Sequence, residues 1–103
     1  MADENVINTV KEYILTCQSL GIYFYKVILF GSYAKGENTV DSDIDLALVS
    51  EAFTGYPIAD RKKISKANIK FTQIEPHTFS IHYFIKGDPF INEIVRTGIE
   101  IAV

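Results

Sequence analysis

Apolar residues at Val6, Ile7, Val10, Tyr13, Ile14, Cys17 and Leu20 recur at the spacing of one helix face, and Gly21 follows as a stop. The pattern then changes period. Tyr23 to Phe30 is aromatic and β-branched, with an unbroken apolar run from Val27, which predicts a buried strand. Gly31 to Asp41 is turn-rich, with room for one helical turn around Tyr33 to Lys35. Ile44, Leu46, Ala47, Leu48 and Val49 predict a second buried strand, and Ser50 to Tyr56 a loop. Pro57 suits the first turn of a helix, and Ile58, Arg61, Lys62, Ile64, Ser65 and Ile69 extend a basic-faced helix to about Phe71.

A third strand is expected near Gln73 to Phe79, and Pro76 inside it argues for a sheet edge. Ser80 to Phe84 fits no single element. Asp88 reads as an N-cap with Pro89 at the first helical position. Ile91, Ile94 and Val95 face inward, and Gly98 is the stop. Ile99 to Val103 is expected to add a short last strand. The order α-β-β-α-β-α-β predicts a small α/β (α+β) domain with a mixed sheet flanked by helices, occupying residues 1–103 as one unit.

Charge and cysteine usage narrow the classes. The net charge of −3 gives no global basic field for non-specific nucleic-acid binding, although Arg61, Lys62, Lys63, Lys66 and Lys70 cluster locally. The single cysteine, Cys17, sits in the apolar helical pattern and has no internal partner, which fits a reducing compartment. Met-Ala-Asp-Glu-Asn is acidic and polar, unlike a signal peptide, and no apolar run approaches the roughly 20 residues of a membrane span. The expected location is the cytoplasm.

The candidate chemistry lies between Phe30 and Asp45. Gly31 ends a strand, where a residue without a Cβ admits a close neighbour, and Ser32 offers a hydroxyl and an amide at the start of a possible helical turn. Asp43 and Asp45 are two residues apart. On a strand they would share a face and repel each other unless a cation lay between them. Mg²⁺ takes a few carboxylates together with waters and phosphate oxygens, and two ions can serve both the attacking oxygen and the leaving pyrophosphate. An isolated Asp-x-Asp is more often a solvated turn. Its placement after a Gly-Ser turn and between two apolar strands favours the metal reading.

Phe30-Gly31-Ser32-Tyr33-Ala34-Lys35-Gly36, followed by Ser42-Asp43-Ile44-Asp45-Leu46, resembles the signature of the DNA polymerase β-like nucleotidyltransferase superfamily, in particular its small prokaryotic branch, the minimal nucleotidyltransferases (MNT). The resemblance implies a mixed sheet with flanking helices. It also implies transfer of a nucleoside monophosphate, most naturally AMP from ATP, to an acceptor hydroxyl, with Mg²⁺ as cofactor. Members of this branch often pair with a small helical HEPN-type protein, and several such pairs act as toxin and antitoxin. Carried onto this chain, the resemblance gives Gly31 and Ser32 to the triphosphate and Asp43 and Asp45 to the metal.

The family's third acid lies on a later strand and helps activate the acceptor hydroxyl. Glu75, in Gln-Ile-Glu-Pro-His, is the expected match, although it is longer than the usual Asp and Pro76 follows it. Lys35 is a candidate point charge for a phosphate. His77 shares the strand face of Glu75 and so borders the site, but an isolated histidine, like His82, is more often structural or on the surface. Tyr23 and Tyr25 read as packing residues. The basic helix from Arg61 to Lys70 reads first as an outer charged face, and otherwise as a surface for RNA, a phosphate-rich substrate or an acidic partner. Two rivals stand beside the enzyme reading: a binding module that neutralises a partner toxin by occlusion, and an inert nucleotide sensor.

Overall fold

The computed structural model describes residues 3–103; Met1 and Ala2, the head of the acidic N-terminus, lie outside the described residues. Helix α1 (Glu4–Ser19) is capped by the Asp3 carboxylate, which accepts from the Asn5 amide. Strands β1 (Lys26–Phe30) and β2 (Ile44–Val49) flank a single turn of helix, α2 (Ser32–Lys35). Helices α3 (Pro57–Lys63) and α4 (Ser65–Lys70) lead to β3 (Ile74–Phe79). Helices α5 (Ile81–Lys86) and α6 (Pro89–Thr97) lead to β4 (Ile99–Ile101).

The sheet order is β3-β2-β1-β4. β1 runs antiparallel to β2 and β4, whereas β2 and β3 are parallel, so the sheet is mixed, as the pattern predicts. β3 lies at an edge, where Pro76 can sit without breaking a central ladder. β2 is central and alternates between two cores. Ile44, Leu46 and Leu48 join α1, α4 and Tyr33 on one face. Ala47 and Val49 join Ile28, Phe84, Ile91 and Ile94 on the other. Tyr13, fully buried, donates its hydroxyl to Asn68 Oδ1 at 2.6 Å and meets the Phe71 ring edge-on, which docks α4 on α1. Burial pushes the Cys17 thiol up to about 11, so this cysteine is a core residue with no reactive thiolate near neutral pH.

Four details depart from the sequence reading. The helix expected from Pro57 to Phe71 breaks at Ile64 (φ −113°, ψ 12°), because that fully buried residue turns into the core and a new turn starts behind it. Ser80 to Phe84 resolves as the start of α5, where the Ser80 hydroxyl accepts from the Tyr83 amide. The strand expected from Tyr23 starts at Lys26, and Tyr23 and Tyr25 are exposed rather than packed. Val95, expected to face inward with Ile91 and Ile94, is exposed on α6. Gly98 does end α6 as expected, with extended backbone. A Cβ there would lie 2.4 Å from Ile28 Cγ2 and 2.5 Å from the Ile94 carbonyl, so glycine allows α6 to press onto β1.

Candidate active site

The corner between β1 and β2 is built by Gly31. Its φ of 74° with ψ of −151° is a conformation that side chains with a Cβ rarely adopt. A Cβ at this position would lie 2.5 Å from Asp45 Oδ2. The residue therefore lacks a side chain for two independent reasons, and the second is the Asp45 carboxylate pressed against the turn. Ser32 follows as the first residue of α2, so its amide and hydroxyl open the short helix beside that carboxylate.

Asp45 is half-buried near the head of β2, in register with Phe30 on β1 and Glu75 on β3. Neighbours in register on adjacent strands point to the same face. The sheet face carrying Asp45 thus also carries Phe30, Glu75 and His77. His77 Nε2 lies 3.4 Å from Asp45 Oδ1, and the His77 ring sits edge-on to Phe30 and to Phe90 at the start of α6. A cleft of about 240 Å³ opens beside this cluster, lined by Pro57, Arg61, Glu75, His77, Phe79 and Phe90.

Asp43 is exposed and precedes β2 by one residue, so it stands at the lip of the site rather than on the ladder. The turn that carries it is closed by Thr39 and Ser42, each bonding the other's residue: the Thr39 amide donates to Ser42 Oγ at 2.9 Å and the Ser42 amide to the Thr39 carbonyl at 3.1 Å. Gln73 fastens this turn to its surroundings. Its side-chain amide donates to the Tyr33 hydroxyl at 3.0 Å and to the Ser42 carbonyl at 3.3 Å, while its own carbonyl accepts from Ile44. Sequence reasoning passed over Gln73, and nothing in a lone glutamine before a strand signals such a role.

Glu75 sits beside Asp45 along the sheet, but its carboxylate is turned away. Glu75 Oε1 lies 3.6 Å from Arg61 Nη2 on α3. Among the described residues, no group of three His, Cys, Asp or Glu side chains converges as a metal cluster. Lys35 ends α2, exposed, and its charge is felt on α6. Glu93 is held below the usual carboxylate range first by its hydrogen bonds from Arg96, with the Arg96 and Lys35 charges adding to them. His82 is exposed on α5, away from this cluster.

Asp60 is a second residue the sequence reading missed. It lies on α3, fully buried, and accepts from the Thr54 amide (2.8 Å), the Thr54 hydroxyl (3.0 Å) and the Gly55 amide (2.9 Å). Burial alone would raise its pKa. The Thr54 and Gly55 hydrogen bonds and the Lys63 charge outweigh that and hold the carboxyl below its usual range. The only sequence signal was an Asp in a helical first turn beside a Thr-Gly pair.

Comparison with known proteins identifies the domain. A family model described as a nucleotidyltransferase domain matches residues 10–101. The "Putative protein adenylyltransferase MJ0604" of Methanocaldococcus jannaschii is 52% identical over 33 residues, which are 32% of this chain and 33% of that protein. This chain thus aligns with only a third of that relative's length. Among solved structures, a toxin–antitoxin crystallised with AMP-PNP superposes with a TM-score of 0.62 at 15% identity, covering 93% of this chain and 72% of the other. The toxin–antitoxin MntA–HpeT, in a variant with two aspartates two positions apart changed to glutamate, gives 0.53 at 13% identity, covering 99% and 73%. At these identities the structural likeness concerns the fold. Because the family model spans nearly the whole chain, the corner built by Gly31 and Asp45 lies in a nucleotidyltransferase domain, and the chain belongs to that family.

Proposed function

We propose that this chain is a Mg²⁺-dependent nucleotidyltransferase that moves AMP from ATP to a hydroxyl of a small helical HEPN-type partner, acting as the antitoxin of the pair. The observation that carries the reading is the contact of Gly31 with the Asp45 carboxylate, which sets a glycine-serine turn directly against an acid. The relatives described as an adenylyltransferase and as toxin–antitoxin structures, one with AMP-PNP, support the choice of nucleotide and of a protein partner. A cytoplasmic location belongs to the same reading; no helix of the described residues is long and apolar enough to cross a membrane.

The donor chemistry fits the metal. Asp43 and Asp45 offer hard carboxylate oxygens at the lip and floor of the corner, which suits a cation that prefers oxygen ligands and keeps several waters. When bound, Mg²⁺ would neutralise phosphate charge and ease ionisation of the attacking hydroxyl. The Gly31–Ser32 turn would hold the phosphates through the Ser32 amide and hydroxyl, with Lys35 as an outer point charge. The acceptor oxygen bonds to the α-phosphorus, the bond from that phosphorus to the pyrophosphate oxygen breaks, and the acceptor proton passes to a nearby carboxylate. Glu75 is our candidate third ligand and proton acceptor. Because it neighbours Asp45 in register, a side-chain rotation away from Arg61 would bring it into the site without backbone movement.

The test is the intact mass of the partner after mixing with this protein, ATP and Mg²⁺. An adenylate adduct is expected with wild type and none with the Asp43→Ala, Asp45→Ala double variant; equal transfer by the two proteins removes the site assignment. The hold of Arg61 on Glu75 favours one rival, neutralisation by occlusion without transfer. Neutralisation by the double variant at wild-type level would select it.

A further inference from the structure

The surface of α3 and α4 carries a second feature, distinct from the Asp45 corner. Ile58 and Ile69 are 79% and 76% exposed. With Arg61, Lys62, Ser65 and Asn68 they line an open groove of about 560 Å³ along the two short helices. Five of the chain's ten cations, Arg61, Lys62, Lys63, Lys66 and Lys70, lie on this segment, and the one acid within it, Asp60, is buried. Lys63 is committed to Asp60 and the Ala52 carbonyl, and Arg61 to Glu75. Among the described residues no ion pair engages Lys62, Lys66 or Lys70.

We propose that this groove is a docking site for an acidic amphipathic helix of a partner protein. One exposed isoleucine from each of the two short helices gives the groove apolar anchors, and the lysines around it that make no ion pair complement carboxylates. Two other occupants fit worse. RNA would leave both isoleucines in contact with phosphate and sugar. A second copy of this chain in a two-fold arrangement would set this basic face against itself. Arg61 lines both this groove and the cleft beside His77, so a helix docked here lies next to the Asp45 corner. If the transfer reading above holds, that is where an acceptor hydroxyl would be presented; the docking itself does not depend on transfer.

The experiment measures binding by fluorescence anisotropy to the full chain without ATP or Mg²⁺, so docking and transfer can fail separately. The probes are helical peptides of about 18 residues, long enough for a stable helix when Ala-rich. One has a Leu stripe flanked by Glu and a second the same stripe flanked by Lys. A third has Glu flanks without Leu, and a short oligouridylate stands for RNA. The Glu-flanked Leu peptide should bind tightest. Ile58→Glu and Ile69→Glu, both at exposed positions, should each weaken it by about tenfold or more. Lys62→Glu with Lys66→Glu should abolish its preference and transfer binding to the Lys-flanked peptide. No binding of the Glu-flanked Leu peptide overturns the proposal. So does equal binding of the Leu-free peptide or of the oligouridylate, or binding that the isoleucine and lysine variants leave unchanged.

Discussion

Gly31 concentrates two demands on one residue. Alanine there must accept a φ of 74° and place a Cβ 2.5 Å from the Asp45 carboxylate, which would have to move. Left-handed or otherwise rare backbone costs on the order of 1–3 kcal/mol in a residue with a Cβ. Gly31→Ala should therefore lose about that much stability and, on our reading, nearly all transfer, because the carboxylate leaves the turn. Urea unfolding and the partner mass measurement check the two halves. Loss of stability with transfer intact would show that the contact is only structural. At this scale the sequence was informative: a glycine closing an apolar strand predicts a close approach, and the approaching group is a residue already marked as a ligand. Asp43 was less legible. Two residues of spacing suggested a shared strand face, but the strand begins only at Ile44, so one carboxylate sits on the ladder and the other on the turn before it.

At the scale of elements, the chemistry depends on connections that hydrophobic patterning does not report. The loop after β2 is held to α3 by Asp60, whose carboxylate takes three hydrogen bonds from Thr54 and Gly55 while inaccessible to solvent. Asp60→Asn turns one acceptor oxygen into a donor facing an amide donor, and should cost about 2–3 kcal/mol at pH 7. The acid response follows from the depressed pKa. A carboxyl held lower in the folded chain contributes stability that is full well above its unfolded value, near 3.9, and is lost as pH falls through the folded value. The Asn variant should start less stable and lose less between about pH 5 and the acid limit; parallel wild-type and variant curves in urea titrations would exclude the role. The strands and α1 were readable because each buries a regular face. Periodicity could not show that Ile64 breaks the basic helix or that Arg61 draws Glu75 aside, since these are set by contacts between elements far apart in sequence.

At the scale of the molecule, a site assembled from β1, α2, β2 and β3 couples ligand binding to the whole sheet. Asp45 is on the central strand, whose two faces belong to both cores. A ligand held there should favour the folded chain as a unit, by RT ln(1 + [L]/Kd), about 2.7 kcal/mol at a hundredfold excess over Kd. Mg²⁺ with an ATP analogue whose α–β bridging oxygen is replaced by a methylene, so that no AMP can be transferred, should raise the Tm of wild type, and the rise should vanish with EDTA. The Asp43→Ala, Asp45→Ala protein should keep its fold, since Asp43 is exposed and Asp45 half-buried. Without metal it should lose little stability, because the interaction given up is the part-exposed contact of Asp45 with His77. Its Tm should then be indifferent to Mg²⁺ and nucleotide. Glu75→Gln separates holding from activating. If Glu75 mainly activates the acceptor, the ligand-induced rise survives while adenylate transfer falls by the 10²–10⁴-fold typical of a lost acid–base group, roughly. If the rise is lost as well, Glu75 is needed to hold the metal. If neither changes, the Arg61–Glu75 pair is a surface contact and the third acid must be sought elsewhere.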